Sequence, residues 1–411
     1  MIQKIDKGNT LLIKGPARIT LLEGKLDILG KIILPEKEVS NQDDLNVESQ
    51  NVLIIPSAQS YPLYAQEESK LEIYTSVKEN LEVIKENSMY PTWIKIKNEI
   101  IEDLQNKKKE GPLKIMVLGI SSGKTTLIKY LANNFLKEGL KGGYIDSDLG
   151  QQIINIPTTI NLGIISDYIV SSDDINSESM VFIGATFPKG NFKFIVSLSC
   201  KKLIDNYVAK NKDIDFVLID TDGWIKTEAG ILYKNFFIKT VDPDALIVFH
   251  DDEIEELKEI EKETLNQRKD RKIHLIKEKN EYFFEKDKDE RRFLRQSQFS
   301  KKFEEFRKIS LPLNDISFIK TGYDEENNEI IEEEININEL VNLPYHYVII
   351  GLFTENSELV EIGLLFTINI AKKYILLYSN LTYKQQIRIK KIVLGSLRLS
   401  TKGNHQGYLY L

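Results

Sequence analysis

Residues 115–126 read IMVLGISSGKTT: an apolar run, a glycine-bounded turn ending in Gly123, Lys124 and Thr125, and the start of an amphipathic segment. Few patterns restrict a fold as closely. A helix N-terminus with inward backbone N–H groups holds phosphate, a lysine reaches the outer phosphates, and a hydroxyl holds Mg²⁺. The phosphate-binding candidates are therefore Gly119, Ser121, Ser122, Gly123, Lys124, Thr125 and Thr126. The turn is short by one residue. The usual pattern places four residues between its glycines, whereas Gly119 and Gly123 enclose only Ile120, Ser121 and Ser122.

The flanks separate a phosphate loop from a chance Gly-Lys-Thr on an ordinary turn. Residues 114–118 are nearly all apolar, as in a parallel strand buried on both faces. Leu127, Ile128, Leu131, Ala132, Phe135 and Leu136 then recur at helical spacing, and Gly139 ends the helix. A second strand follows, ending at Asp146. Strand, loop, helix and strand occupy about thirty residues, the size of a βαβ unit. The expected fold class is α/β: a central P-loop NTPase domain on a doubly wound, mostly parallel sheet, flanked by N-terminal and C-terminal β domains.

A chain of 411 residues exceeds a single core, and its pattern divides it. Residues 1–95 set short apolar stretches between Gly8, Gly15, Gly24 and Gly30, a sandwich-like β pattern. Residues 96–113 read as a lysine-rich amphipathic linker ending in Gly111 and Pro112. Residues 114–310 hold every strong motif, with a lid helix near 284–309, and residues 311–411 return to short strands. The acidic run 324–334 reads as a solvated loop. One cysteine, Cys200, excludes a disulfide framework and a cysteine-based zinc site, and the four histidines lack ligand spacing. No apolar run nears the ~20 residues of a membrane span, and the N-terminus lacks a signal-peptide pattern. The expected setting is cytoplasmic, away from membranes. Net charge is −7, so any nucleic-acid surface must concentrate its basic residues locally.

Three further motifs carry chemistry. Residues 146–151 read DSDLGQ at the carboxyl end of the second strand, where ligands bind in such sheets. A carboxylate there can take a proton from an attacking hydroxyl or hold a magnesium-bound water, whereas a bare Asx turn would only close the strand. Residues 215–224 read DFVLIDTDGW. Asp220 ends an apolar strand, as a Walker B carboxylate does. Trp224 is core packing or a platform for a base, and spacing favours packing. Residues 289–306 read DERRFLRQSQFSKKFEEF, with Arg291, Arg292 and Arg295 gathered within about a turn and Phe293, Phe299, Phe303 and Phe306 as apolar anchors. Such a run is a solvated helix face or a lid whose arginines neutralise transition-state charge.

The order of these motifs, with Ile156 and Pro157, the GATFP run at 184–188 and Asn191, resembles the Clp/Grc family of polynucleotide 5′-hydroxyl kinases, in an archaeal member. The likeness is dense over about 114–306 and weaker in the two β domains. It implies transfer of the ATP γ-phosphate to the 5′-hydroxyl of single-stranded RNA, and possibly DNA, with Mg²⁺ as cofactor and RNA-processing proteins as possible partners. It implies that Lys124 meets the β- and γ-phosphates, that Thr125, Asp148 and Asp220 serve the metal, and that Asp148 organises the attacking hydroxyl. Gln151 and Thr186 would help hold the metal and the substrate end. Trp224 would stack on the terminal base, and Arg291, Arg292 and Arg295 would form the lid.

The short loop keeps an alternative open: a nucleotide-binding scaffold of an RNA-processing complex, with little or no kinase activity. ATP titration beside a 5′-phosphorylation assay separates the two. A GTPase would need Asn-Lys-x-Asp, and Asn211, Lys212 and Asp213 are one residue too few and precede the Walker B strand.

Overall fold

The computed structural model describes residues 1–36, 51–106, 111–120, 123–278, 282 and 286–411. Ser121, Ser122 and most of the polar stretch 36–49 lie outside the described residues.

Among the described residues, nine short strands open the chain: β1 Ile2–Ile5, β2 Thr10–Lys14, β3 Ala17–Glu23, β4 Leu26–Ile28, β5 Lys31–Ile33, β6 Val52–Ile55, β7 Ser60–Ala65, β8 Ser69–Thr75 and β9 Leu81–Ile84. They form two antiparallel sheets, β1-β8-β3-β6 and β5-β4-β7-β2-β9. Alternation buries Ala17, Ile19 and Leu21 of β3 and turns Arg18 and Leu22 outward.

Much of the stretch expected to be a linker is core. Helix Pro91–Gln105 starts on a proline at its first position. It buries Trp93, Ile96, Ile100 and Leu104, an i, i+3, i+7, i+11 stripe. Of the lysines noted in the sequence, Lys97 lies off that stripe, and Lys107, Lys108 and Lys109 lie outside the described residues. This helix joins the β-sandwich to the central sheet in one hydrophobic core.

The central sheet takes β10 Leu113–Leu118, β11 Gly142–Asp146, β12 Thr159–Ile165, β13 Ser177–Phe182, β14 Phe216–Asp220, β15 Ala245–Phe249 and β16 Lys272–Ile276, in the order β13-β12-β11-β14-β10-β15-β16. The five strands β11-β14-β10-β15-β16 are parallel; β12 and β13 add on antiparallel. Both faces are covered. Ile115 and Val117 of β10 face the core shared with helix Lys124–Lys137 and the sandwich, and Met116 and Leu118 face helices Phe192–Lys210 and Glu228–Val241. That explains an apolar run without alternation. From β10 the chain crosses to β11 on one side, and from β14 to β15 on the other. The direction of winding therefore reverses beside β10, the place where such sheets bind ligands.

Helix Lys288–Phe303 leads into a C-terminal sheet of β17 Arg307–Pro312, β18 Ser317–Asp324, β19 Glu329–Glu334, β20 Val348–Phe353, β21 Leu359–Asn369, β22 Tyr374–Ser379, β23 Lys391–Leu399 and β24 His405–Tyr408. The acidic run expected to be a loop is a hairpin: β19 pairs antiparallel with β18, with Asn328 at φ 54 in the turn. An edge strand rich in glutamate stays solvated while its backbone pairs, which the charge pattern alone does not reveal. No helix among the described residues is long and apolar enough to cross a membrane.

Candidate active site

Strand β10 runs through Leu118, which is fully buried, and the phosphate loop begins at Gly119. Gly119 (φ 153) and Gly123 (φ 81) lie in backbone regions that favour glycine. Gly123 caps helix Lys124–Lys137, and its carbonyl accepts from the N–H of Leu127 at 2.9 Å. The helix N-terminus, with its unpaired donors and positive end, therefore opens onto the loop. Lys124 is only 9% exposed, and its Nζ donates to the Gly119 carbonyl at 2.8 Å. The lysine thus arches over the loop and is no freely exposed side chain. Thr126, one residue on, is half-buried.

Three strand ends bring the acids together. In register, Val117 of β10 lies beside Asp220 of β14, and Asp220 beside Asp146 of β11. Thr125 Oγ1 donates to Asp220 Oδ2 at 2.6 Å, and the Tyr144 hydroxyl donates to the same oxygen at 3.1 Å. Asp220 Oδ1 is buried with no hydrogen-bond partner. A hydroxyl and an unpaired carboxylate oxygen beside a helix N-terminus suit a divalent cation completed by phosphate and water. Burial raises the pKa of Asp220, and Lys124 and Thr125 oppose the rise. Among the described residues, no three His, Cys, Asp or Glu side chains are grouped to hold a metal by themselves.

The two aspartates of the DSDLGQ run differ. Asp146 is spent on the backbone: Oδ2 accepts from Ile153 N at 2.6 Å and Oδ1 from Asp148 N at 3.3 Å. Burial and then Asp220 hold its pKa well above the usual carboxylate range. Asp148 binds the N–H groups of Gly150 (2.9 Å) and Gln151 (3.0 Å) through Oδ1 alone. Burial, then Asp222, raises its pKa, and Lys124 opposes them.

The lid helix lies across this loop. Its N-terminus carries a capping box of Asp287 and Glu290. Gln151 Nε2 donates to the carbonyls of Gly150 (2.8 Å) and Arg291 (3.3 Å), and Gln298 Nε2 donates to that of Gln152 (2.5 Å). Gly150 is walled in. A Cβ there would lie 3.1 Å from the Thr186 carbonyl, 3.5 Å from Arg295 Nη1 and 3.6 Å from Asp148 Oδ1. Asp148, Thr186 and Arg295 thus converge, and Arg292 lines a cavity beside them. Phe299 and Phe303 anchor the helix, and Phe306 packs against the same core. Phe293 does not anchor it, being 49% exposed.

Trp224 is half-buried, its ring 4.6 Å from that of exposed Phe187 and 6.0 Å from that of Tyr233. Its N–H donates to Asp222 Oδ1 at 2.8 Å, and the same oxygen pairs with Lys234 Nζ at 3.1 Å. Lys234 is fully buried and was missed in the sequence. Its signal was there: it falls between Ile231 and Ile238 on the apolar stripe of helix Glu228–Val241. Asp222 and Lys234 fix the backbone that presents Trp224.

Residues 119–305 match the family model described as mRNA cleavage and polyadenylation factor CLP1 P-loop. This segment is similar to the CLP1 P-loop family. The chain is 27% identical over 342 residues to a protein of Methanocaldococcus jannaschii named polyribonucleotide 5′-hydroxyl-kinase, covering 74% of this chain and 91% of the relative. It is 34% identical over 218 residues to a protein of that name from Pyrococcus abyssi, covering 53% of this chain and 57% of the relative. Among solved structures, Clp1p in complex with Pcf11p superposes with a TM-score of 0.73 at 16% identity, covering 97% of each chain. That likeness is one of fold.

Proposed function

We propose that this CLP1-type chain is an ATP-dependent polynucleotide kinase that transfers the γ-phosphate to the 5′-hydroxyl of RNA, and also of DNA. The observation that carries this reading is the convergence of Asp148, Thr186 and Arg295 around Gly150, one strand from the Lys124 loop. A phosphoryl donor and an acceptor hydroxyl fit on opposite sides of that junction. The names of the archaeal relatives agree.

Phosphoryl transfer asks a protein for position and charge. Gly119, Ser121, Ser122, Gly123 and Thr126 surround the phosphates, with the helix N-terminus aimed at them. Lys124 exchanges the Gly119 carbonyl for phosphate oxygens. Thr125, Asp220 and Asp148 serve Mg²⁺, which neutralises charge on the β- and γ-phosphates when bound. Asp148, placed beside the acceptor side, orients the attacking hydroxyl and accepts its proton. Gln151 and Thr186 hold the acceptor end, and Trp224 offers it a stacking face. Arg295 meets the transferring group from the lid, flanked by Arg291 and Arg292. RNA-processing proteins are the expected partners, as Pcf11p is for Clp1p in the complex that shares this fold. A cytoplasmic setting accords with the one buried thiol, Cys200.

Transfer from labelled ATP to 5′-hydroxyl RNA and DNA oligonucleotides tests the reading, with Lys124→Ala as control. The wild-type chain should label both, and Lys124→Ala should fall to background with its circular dichroism intact. Undiminished labelling by that variant would sink the phosphate-loop assignment. ATP binding without labelling would leave the scaffold reading, which the short loop favours.

A further inference from the structure

A cavity of about 320 Å³ lies between the lid helix, the loop that carries Thr186 and the end of the C-terminal sheet. Its size falls in the range of ligand sites, about 300–1,000 Å³. Thr186, Arg292 and Arg295 line one side, and His405 and Tyr408 of β24 the other. Two features join it to the acceptor end of the active site. The Thr186 carbonyl and Arg295 Nη1 both lie against Gly150, next to Asp148. The cavity therefore begins where the 5′ end would sit.

Its lining is chemically uneven. Arg292 and Arg295 bring two positive charges to a chain whose net charge is −7. His405 lies near enough that these arginines, after burial, lower its pKa. Tyr408 also lines the cavity and is 44% exposed; Tyr410, outside the lining, is 80% exposed. The Tyr408 ring is 4.8 Å from His405 and 6.0 Å from Tyr410. Cationic groups that track a backbone, beside exposed rings that accept bases, are the recognition chemistry of single-stranded nucleic acid. Gly403 sets the whole wall in place. At φ 74, it lets the turn approach the lid helix so closely that a Cβ would meet the Gln296 carbonyl and Phe299 at 2.8 Å.

We propose that this cavity receives the second nucleotide of the acceptor strand, with its phosphodiester against Arg292 and its base against Tyr408. The inference rests on the kinase reading and adds to it. The C-terminal β domain becomes part of the acceptor site, and acceptors of two or more nucleotides are favoured over a single one. Stacking and charge read any base, so sequence preference at this position is weak.

The test compares acceptors on the full chain: adenosine 3′-monophosphate, which carries the first phosphate but no second base to meet Tyr408, and a 5′-hydroxyl trinucleotide, which carries both. For the wild type, KM should be lower for the trinucleotide. Tyr408→Ala should raise the trinucleotide KM about 5- to 10-fold, the effect of losing a partly exposed stacking face. The ratio of trinucleotide to mononucleotide KM should rise with it. Tyr408→Phe, which keeps the ring, should restore the ratio, and His405→Ala should raise it in the same direction. Equal changes for the two acceptors, or none for the trinucleotide, overturn the proposal. If the wild type phosphorylates neither acceptor, the kinase reading fails separately. Fluorescence anisotropy of a labelled trinucleotide then decides the cavity: weaker binding to Tyr408→Ala upholds it, and equal binding overturns it.

Discussion

Asp146 and Asp148 are two residues apart and have opposite fates. Asp146 is fully buried and both its oxygens hold backbone N–H groups, so it shapes the loop. Asp148 has one oxygen so engaged and sits between Asp222 and Lys124. Asp148→Asn keeps the size and the backbone acceptor and removes the charge. The expected result is a fall in kcat of about 100-fold or more, with a much smaller change in ATP affinity. Steady-state kinetics and ATP titration check it, and equal losses in both would make Asp148 chiefly a binder of Mg·ATP.

Trp224 is argued at the same scale. It is neither core nor fully free: one face packs toward Tyr233 and the other meets Phe187 near solvent. Trp224→Ala should raise KM for oligonucleotide by the equivalent of ~1–3 kcal/mol of stacking and leave KM for ATP nearly unchanged. Melting temperature measured alongside separates this from packing. A large drop in Tm with both KM values rising together would return the residue to the core.

At the scale of elements, the lid helix is fastened at both ends. Lys14 of β2 pairs with Glu290 at 2.5 Å near its start. Near its end, Phe299 and Phe303 enter a core with Ile349, Leu364 and Val393 of the C-terminal sheet. The approach at Gly403 makes this docking tight. Gly403→Ala places a methyl 2.8 Å from the helix at a left-handed φ, and should cost about 1–3 kcal/mol. Hydrogen exchange should quicken across 288–303 and kcat should fall with it. Unchanged exchange in that segment would mean the turn does not hold the lid. The helix was recognisable from its arginines and phenylalanines. What holds it was not, because its partners come from β2, near the start of the chain, and from strands of the C-terminal sheet.

At the scale of the whole molecule, the N-terminal sandwich and the phosphate-loop sheet bury one continuous core. Asn133, fully buried on the phosphate-loop helix, clasps them. Its Nδ2 donates to the carbonyls of Leu29 and Ile169 at 3.0 Å, and its Oδ1 accepts from Ile169 N at 2.7 Å. Asn133→Ala leaves three buried backbone groups unpaired and should cost about 2–3 kcal/mol. Urea unfolding should keep a single transition with a lower midpoint. Two separated transitions would show instead that the sandwich unfolds by itself. The C-terminal sheet is joined as closely. Ser396 N donates to the Gly184 carbonyl at 2.8 Å, and a Cβ on Gly184 would fall 2.4 Å from the Gly395 Cα.

The sequence by itself determined the local features, because each depends on neighbours a few residues away. Hydrophobic period set β10 and its helix, glycine at Gly123 met the left-handed turn, and acids at strand ends marked Asp148 and Asp220. Tertiary structure decided what needs distant chain segments to meet. It made a core helix of most of the linker, a hairpin of the acidic run, a buried partner of Lys234 for Asp222, and a cavity from Arg292, Arg295, His405 and Tyr408. A side chain's charge and period say that it can be solvated or buried. Which of the two it is depends on what folds against it, and that is settled only when strands far apart in the chain pair and pack.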